Sequence, residues 1–233
     1  MQPAQEGLDL GSHPLTKPNM DVSDQNSAFQ IRQATPRDLP GAYEVCLKTG
    51  DSGNDGTALY SDDPAALGNI YVGPYIMFEP ELAYVLEDQA GICGYVLGAL
   101  DSERFYRRVI RAWLPPLRAR HPAPTGDPAS WTPTQQLYYE YHNPQFYYPE
   151  AFRPYPSHMH IDLLPRAQGR GLGRKMVEHL IAKLVKLGSP GVHLGLSAVN
   201  TRAYRFYQKM GFFDLPRSEN TPAGVIFMAR KLP

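Results

Sequence analysis

The stretch QGRGLGRK, residues 168 to 175, gathers three glycines and three positive side chains, a composition suited to gripping phosphate groups. Its spacing narrows the chemistry. A magnesium-assisted phosphate loop needs Gly, four residues, then Gly-Lys-Ser/Thr, whereas Gly173 is followed by Arg174, Lys175 and Met176, so the hydroxyl is missing. The dinucleotide fingerprint G-x-G-x-x-G also fails, because Arg174 stands where the third glycine should follow Gly169 and Gly171. What fits is a strand (His158 to Leu164), a turn at Pro165, the loop, and a helix starting near Leu172. The first N–H groups of a helix have no intrahelical partner and lie at the positive end of its dipole, so a pyrophosphate can accept several at once. Arg166, Arg170, Arg174 and Lys175 add charge, with no acidic residue from Pro165 to Val177. The plainer alternative is a tight left-handed turn with solvated arginines.

The elements that must position this loop are legible in outline. The chain has 233 residues, with 23 Lys and Arg balanced by 23 Asp and Glu, so no global field points to nucleic acid or an anionic membrane. No apolar run approaches the ~20 residues that span a bilayer and no signal-peptide pattern opens the chain, which leads us to expect a cytoplasmic protein. Residues 1 to 28 are polar and proline-interrupted and are expected to form a flexible tail before one domain over 29 to 233. Phe29 to Gly50 reads as a strand, a Thr35 cap with Pro36 in the first turn, and a helix. ELAYVLED, GICGYVLGALD and HMHIDLL read as strands. Leu172, Met176, Leu180 and Leu184 define an amphipathic helix closed by Gly188. VHLGLSA, NTRAYRFYQKM and GVIFMARKL complete a strand, a helix and a final strand. Interleaving of this kind implies an α/β fold with a βαβ unit around residues 158 to 197.

Between the third and fourth strands, residues 101 to 156 open with a helical stretch, SERFYRRVIRAWL, and run on rich in proline and tyrosine. The aromatics argue for an ordered cap. It can serve as satellite core or as the wall of a substrate pocket. Cys46 and Cys93 stand far apart and read as packing residues.

QGRGLG resembles the Q/R-x-x-G-x-G/A signature of the GCN5-related N-acetyltransferases through Gln168, Gly171 and Gly173, and NTRAYRFYQKMGF resembles their second signature through Asn200, Ala203, Tyr207, Gly211 and Phe212. The element order follows that family from Phe29 to Leu232. GICGYVLGALDSERF, AWLPPL, the insertion and HIDLLP are further similar to the acetyltransferase-like domain at the C-terminus of protein O-GlcNAc hydrolases and its free-standing microbial relatives. No stretch here reads as the hydrolase. Members of that group differ in whether the glycine loop survives; this chain keeps it.

The resemblance implies a mixed central sheet flanked by helices on both faces, and acetyl-CoA held at Gln168, Gly169, Arg170, Gly171, Leu172, Gly173 and Arg174. It further implies an oxyanion contact from the backbone N–H of Leu163 or Leu164, where strands four and five part, and Tyr207 as the acid beside the leaving sulfur. A tyrosine on a face with Ala203 and Met210 can equally be a core residue. Asn200 is expected to cap its helix and touch the pantetheine arm, near Ala203. For the base, His158, His160, Asp162 and Leu164 share one strand face. Asp162, nearest the cofactor end, ranks first and His160 second, against the alternative of a hydrogen-bonded polar cluster. A His-x-His-x-Asp metal site is disfavoured, because one strand rarely encloses an ion, and no metal is expected. The expected activity is acetyl transfer to a primary amine of a small molecule or peptide by direct attack. The rivals are a coenzyme-binding module without transfer and a nucleotide-binding enzyme of another class. Tyr138, Tyr139, Tyr141, Tyr147 and Tyr148 in the cap suit an aromatic or sugar-amine acceptor as well as a peptide, and the loop with Asp51 and Asp55 can line the acceptor side. Oligomeric state is not legible.

Overall fold

The computed structural model describes residues 28–233, so the tail expected over residues 1 to 28 lies almost wholly outside the described residues. Seven strands form one mixed sheet: β1 (Gln30–Gln33), β2 (Ala83–Asp88), β3 (Gly91–Ala99), β4 (Ser157–Leu163), β5 (Gly191–Ser197), β6 (Phe213–Asp214) and β7 (Val225–Lys231). Their order is β1-β2-β3-β4-β5-β7-β6, antiparallel at every junction except the parallel β4–β5 pair. That pair is joined by helix α7 (Leu172–Lys186), numbered in chain order, which is the βαβ crossover read from the sequence.

Helices cover both faces because β3 alternates. A methyl group placed on Gly98 would lie 3.1 Å from Leu180 of α7, so the bare strand lets that helix settle closely. Tyr95, of opposite parity, faces Cys46 of α1 (Leu39–Lys48) on the other side. The α7 stripe of Leu172, Met176, Val177, Leu180, Ile181 and Leu184 is entirely buried. Ahead of α1, the carboxylate of Asp38 accepts from the Thr35 amide at 2.7 Å and from Arg32, which fixes the entry turn at Pro36.

Two short helices, α2 (Ala66–Tyr71) and α3 (Gly73–Phe78), lead to β2. Between β3 and β4 lie α4 (Ser102–Arg108), a π-helical turn (Val109–Trp113), α5 (Leu114–Arg120) and α6 (Pro133–His142). The helix expected from Ser102 to Leu114 thus continues in altered pitch to Arg120. Helix α6 begins with a reciprocal cap: the Gln135 amide donates to the Thr132 hydroxyl at 3.2 Å, and the Thr132 amide to the Gln135 side chain at 2.9 Å. It docks on α2 and the turn before it through hydrogen bonds from Tyr138 to Asp63 (2.9 Å), Tyr141 to the Ala66 carbonyl (2.9 Å) and Thr134 to Asp62. Tyr147 stacks on Phe227 at 5.0 Å in a second apolar cluster with Phe152 and Leu215. Most of the cap aromatics are therefore packing residues.

Candidate active site

The parallel pair sets the site. β4 and β5 pair only at Ser157↔Val192 and His158↔His193, and beyond those residues the strands part. On the other edge of β4, the Leu164 amide donates to the Cys93 carbonyl at 2.8 Å. Antiparallel ladders alternate, so Leu163, opposite Gly94, sits at a non-hydrogen-bonded position and turns its N–H and C=O toward the gap. Gln168 Nε2 takes that carbonyl at 2.6 Å, while no described residue takes the Leu163 N–H. Of the two amides expected to meet an oxyanion, Leu164 is thus corrected: the register against β3 consumes its N–H.

The glycine loop lies at the mouth of the same gap. After one turn at Pro165–Ala167, Gly169 and Gly171 both adopt φ +74°, and Gly171 is the left-handed residue preceding α7. An added methyl group at either would meet nothing within 4 Å. The first helical bond is from the Lys175 amide to the Gly171 carbonyl at 3.2 Å. Among the described residues, no acceptor takes the amides of Gly169, Gly171, Leu172 or Gly173. Open donors on an unobstructed, dipole-positive turn are what a diphosphate requires. The surrounding arginines are less available than their sequence positions imply. Arg166 is paired with Asp88 at 2.8 Å, Arg174 with Glu178 at 3.2 Å, and Arg170 donates to the Arg166 carbonyl at 3.2 Å.

A cleft of about 730 Å³ runs from the loop through the gap, bringing Asp162, Leu163, Gln168, Gly169, Gly171, Gly173, Arg174, Asn200, Ala203 and Tyr207 together. The last three belong to the start and body of α8 (Thr201–Lys209), where Asn200 Oδ1 accepts from the Ala203 amide at 3.0 Å. His160, Leu164, Arg170 and Leu172 do not line it. Sequence reasoning missed Thr49, Gly53, Phe206 and Arg202, which do. Arg202 donates to Gln168 Oε1, so Gln168 bridges the β4 carbonyl and α8 across the gap. The signal for Arg202 was its place two residues after Asn200 in the second signature.

The ionisable groups differ sharply in state. Burial lifts the Asp162 carboxyl from 3.8 to about 6, opposed by the Tyr95 hydroxyl, which donates to Oδ2 at 2.6 Å, and by Thr49. Burial, then the charge of Asp162, pushes the Tyr207 phenol upward, so it holds its proton at neutral pH. Its hydroxyl bonds to no described residue. Burial lowers His160 to about 4. Its Nε2 lies 2.6 Å from the Tyr71 carbonyl and must carry the hydrogen, because a carbonyl only accepts. Wedged edge-on between Tyr75 (4.8 Å) and Tyr95 (5.7 Å), His160 is a packed, neutral ring, and its ranking as second candidate base is corrected on that ground. His158 is bound by Tyr75 (2.9 Å) and Ser102 (2.7 Å). No group of three His, Cys, Asp or Glu among the described residues could hold a metal.

The fold thus sets a glycine turn with open amides at the mouth of a gap in a mixed sheet. The model of the acetyltransferase (GNAT) family matches residues 132–212. The crystal structure of SsHAT is 34% identical and superposes with a TM-score of 0.79 over 88% of this chain and 98% of that one. The chain belongs to the acetyltransferase (GNAT) family. It is 27% identical over 209 residues to protein O-GlcNAcase of Rattus norvegicus, covering 89% of this chain and 22% of the relative, so it spans about a fifth of that protein's length. The fold is shared with yncA of Salmonella typhimurium, solved with its cofactor acetyl-CoA, at 16% identity and a TM-score of 0.50 over 88% of this chain and 95% of that one. Among the described residues no helix is long and apolar enough to cross a membrane.

Proposed function

We propose that this protein binds acetyl-CoA and transfers the acetyl group to a primary amine by direct attack. The observation that carries the reading is the alignment of the amides of Gly169, Gly171 and Gly173 with the Leu163 N–H, none of them taken by a described residue, along one continuous cleft. Acetyl-CoA supplies the activated thioester. The loop amides fix its diphosphate, and Asn200 and Ala203 line the path of its arm. A single preorganised donor such as the Leu163 N–H contributes about 3 kcal/mol where negative charge develops on an oxygen. Asp162, with a pKa of about 6, is ionised at neutral pH and accepts a proton from the amine directly or through water. Tyr207, protonated and facing the cleft, is the donor to a departing sulfur.

Titration calorimetry is expected to show binding of acetyl-CoA and none of ATP or NAD; the reverse would assign another class of enzyme. In a thiol-release assay with an amine panel, Tyr207→Phe is expected to lower kcat about 100-fold with little change in acetyl-CoA affinity. Tight binding with no transfer to any amine, and no effect of Tyr207→Phe, would instead identify a coenzyme-binding module.

A further inference from the structure

A second cavity, of about 870 Å³, opens beside the cleft, between the loop that follows α1, the end of β4 and the head of α8. None of Gly169, Gly171 and Gly173 lines it, so the turn that suits a diphosphate faces the other space. Gly53, Gln168, Asn200 and Arg202 line both and form the wall between them. Two contacts build that wall. A methyl group placed on Gly53 would lie 2.9 Å from Asn200 Nδ2, so the bare residue lets the loop press on the head of α8, while Ser52 donates to the Ser197 hydroxyl at 3.3 Å. Arg202 donates to Gln168 Oε1, and Gln168 Nε2 donates to the Leu163 carbonyl at 2.6 Å. One side-chain amide thus separates the Arg202 guanidinium from the residue whose N–H faces the gap.

The charges of this cavity are unequally matched. Lys48, Arg166 and Arg202 are its cations, and Asp55 is its carboxylate. Lys48 is paired with Glu44 at 2.8 Å and Arg166 with Asp88 at 2.8 Å, both partners lying outside the lining. Asp55 accepts from the Thr57 amide at 2.9 Å and from the Thr57 hydroxyl, so its own loop satisfies it. Arg202 differs. Among the described residues no carboxylate pairs with it, and its partner Gln168 is neutral. A guanidinium is a planar fork of five donors shaped for a carboxylate, and one bound to a single amide oxygen keeps most of them open. Arg202 also stands in the first turn of α8, a helix of nine residues, whose dipole is positive at that end.

We infer that this cavity receives the acceptor and that the acceptor is a free amino acid, its carboxylate held by Arg202 at the shared wall and its amine on the side of the cleft. This rests on the acetyl-transfer reading above. The single amide between Arg202 and Leu163 sets the class, because amine and carboxylate must lie only a few bonds apart. An α-amino acid meets that condition, whereas the side-chain amine of a lysine within a peptide does not. Beyond the wall the amine meets the space that Asp162 and Tyr207 line.

The test uses the full chain saturated with acetyl-CoA and compares thiol-release rates for the common amino acids, each against its own amide, with calorimetric titration of the same compounds into protein saturated with coenzyme A. At least one amino acid is expected to bind about tenfold more tightly than its amide and to show a KM lower by the same factor. In Arg202→Met that ratio is expected to fall toward one. A ratio taken at saturating coenzyme is insensitive to a loss of folded protein, and the wild-type ratio alone decides if the variant does not fold. No binding of any amino acid, equal values for acids and amides, preference for a lysine-bearing peptide, or an unchanged ratio in the variant would overturn the assignment. So would a variant that loses affinity for acetyl-CoA but not for its analogue without the ribose phosphate, because the cation would then serve the coenzyme. Amino-acid binding without thiol release would uphold the cavity and sink the transfer reading. Transfer to amines regardless of a carboxylate would do the opposite.

Discussion

Asp162→Asn is expected to lower kcat/KM by about 100- to 10,000-fold while making the protein more stable at neutral pH. Both effects come from the same carboxylate. Folding raises its pKa from 3.8 to about 6, so the folded chain binds this proton more tightly than the unfolded chain does. Stability from this group is therefore full below pH 3.8 and falls as pH rises through 6. A shift of about two units corresponds to about 3 kcal/mol of destabilisation above pH 6. The asparagine keeps an acceptor for the Tyr95 hydroxyl and carries no charge. Thermal unfolding should thus show wild type and variant alike near pH 4, with the variant ahead by several degrees at pH 7.5. The acidic limb of the wild-type pH–rate profile, centred near 6, should be missing from the variant's residual activity. A variant that loses stability at pH 7.5 and keeps its activity would show that Asp162 is a structural carboxylate.

The second large effect is expected at Gly171. Its φ of +74° suits glycine and costs a β-branched residue about 1–2 kcal/mol, and a side chain there projects into space that nothing in the protein fills. Gly171→Val is expected to weaken acetyl-CoA binding at least 100-fold, a loss of about 3 kcal/mol. Gly188 provides the control. It has φ +81°, ends α7 at the far side from the cleft, and likewise has no neighbour within 4 Å of an added methyl group. Gly188→Val should lose similar stability and retain full affinity. Equal losses of affinity in both variants would mean that strain in α7, and not obstruction of the turn, governs binding.

The parts of this architecture that were legible in the sequence are those where chemistry dictates residue type and spacing. Gly169, Gly171 and Gly173 had to be small to expose amides, and a strand, a loop and an amphipathic helix in that order implied the parallel crossover from β4 to β5. The common face of His158, His160 and Asp162 was legible because alternate residues of a strand share a face. What was not legible depends on partners distant in sequence. The choice between Leu163 and Leu164 follows from the phase of the β3–β4 ladder, which only the pairing with Cys93 and Gly94 sets. The neutralisation of Arg166 by Asp88 joins residues far apart in the chain. Helix α6 carried a signal that was passed over: Thr132 and Gln135 have the capping-box spacing at the head of a tyrosine-rich run. Its docking on Asp63 and Ala66 joins residues distant in the chain, which no local pattern states.

The most direct measurement is amide chemical-shift mapping of the full chain during titration with acetyl-CoA. The largest changes are expected at Gly169, Gly171, Leu172 and Gly173, with a separate change at the Leu163 N–H that coenzyme A lacking the acetyl group does not reproduce. Saturation of the protein with these five amides unmoved would contradict a diphosphate held at the head of α7 and an acyl group lodged between β4 and β5.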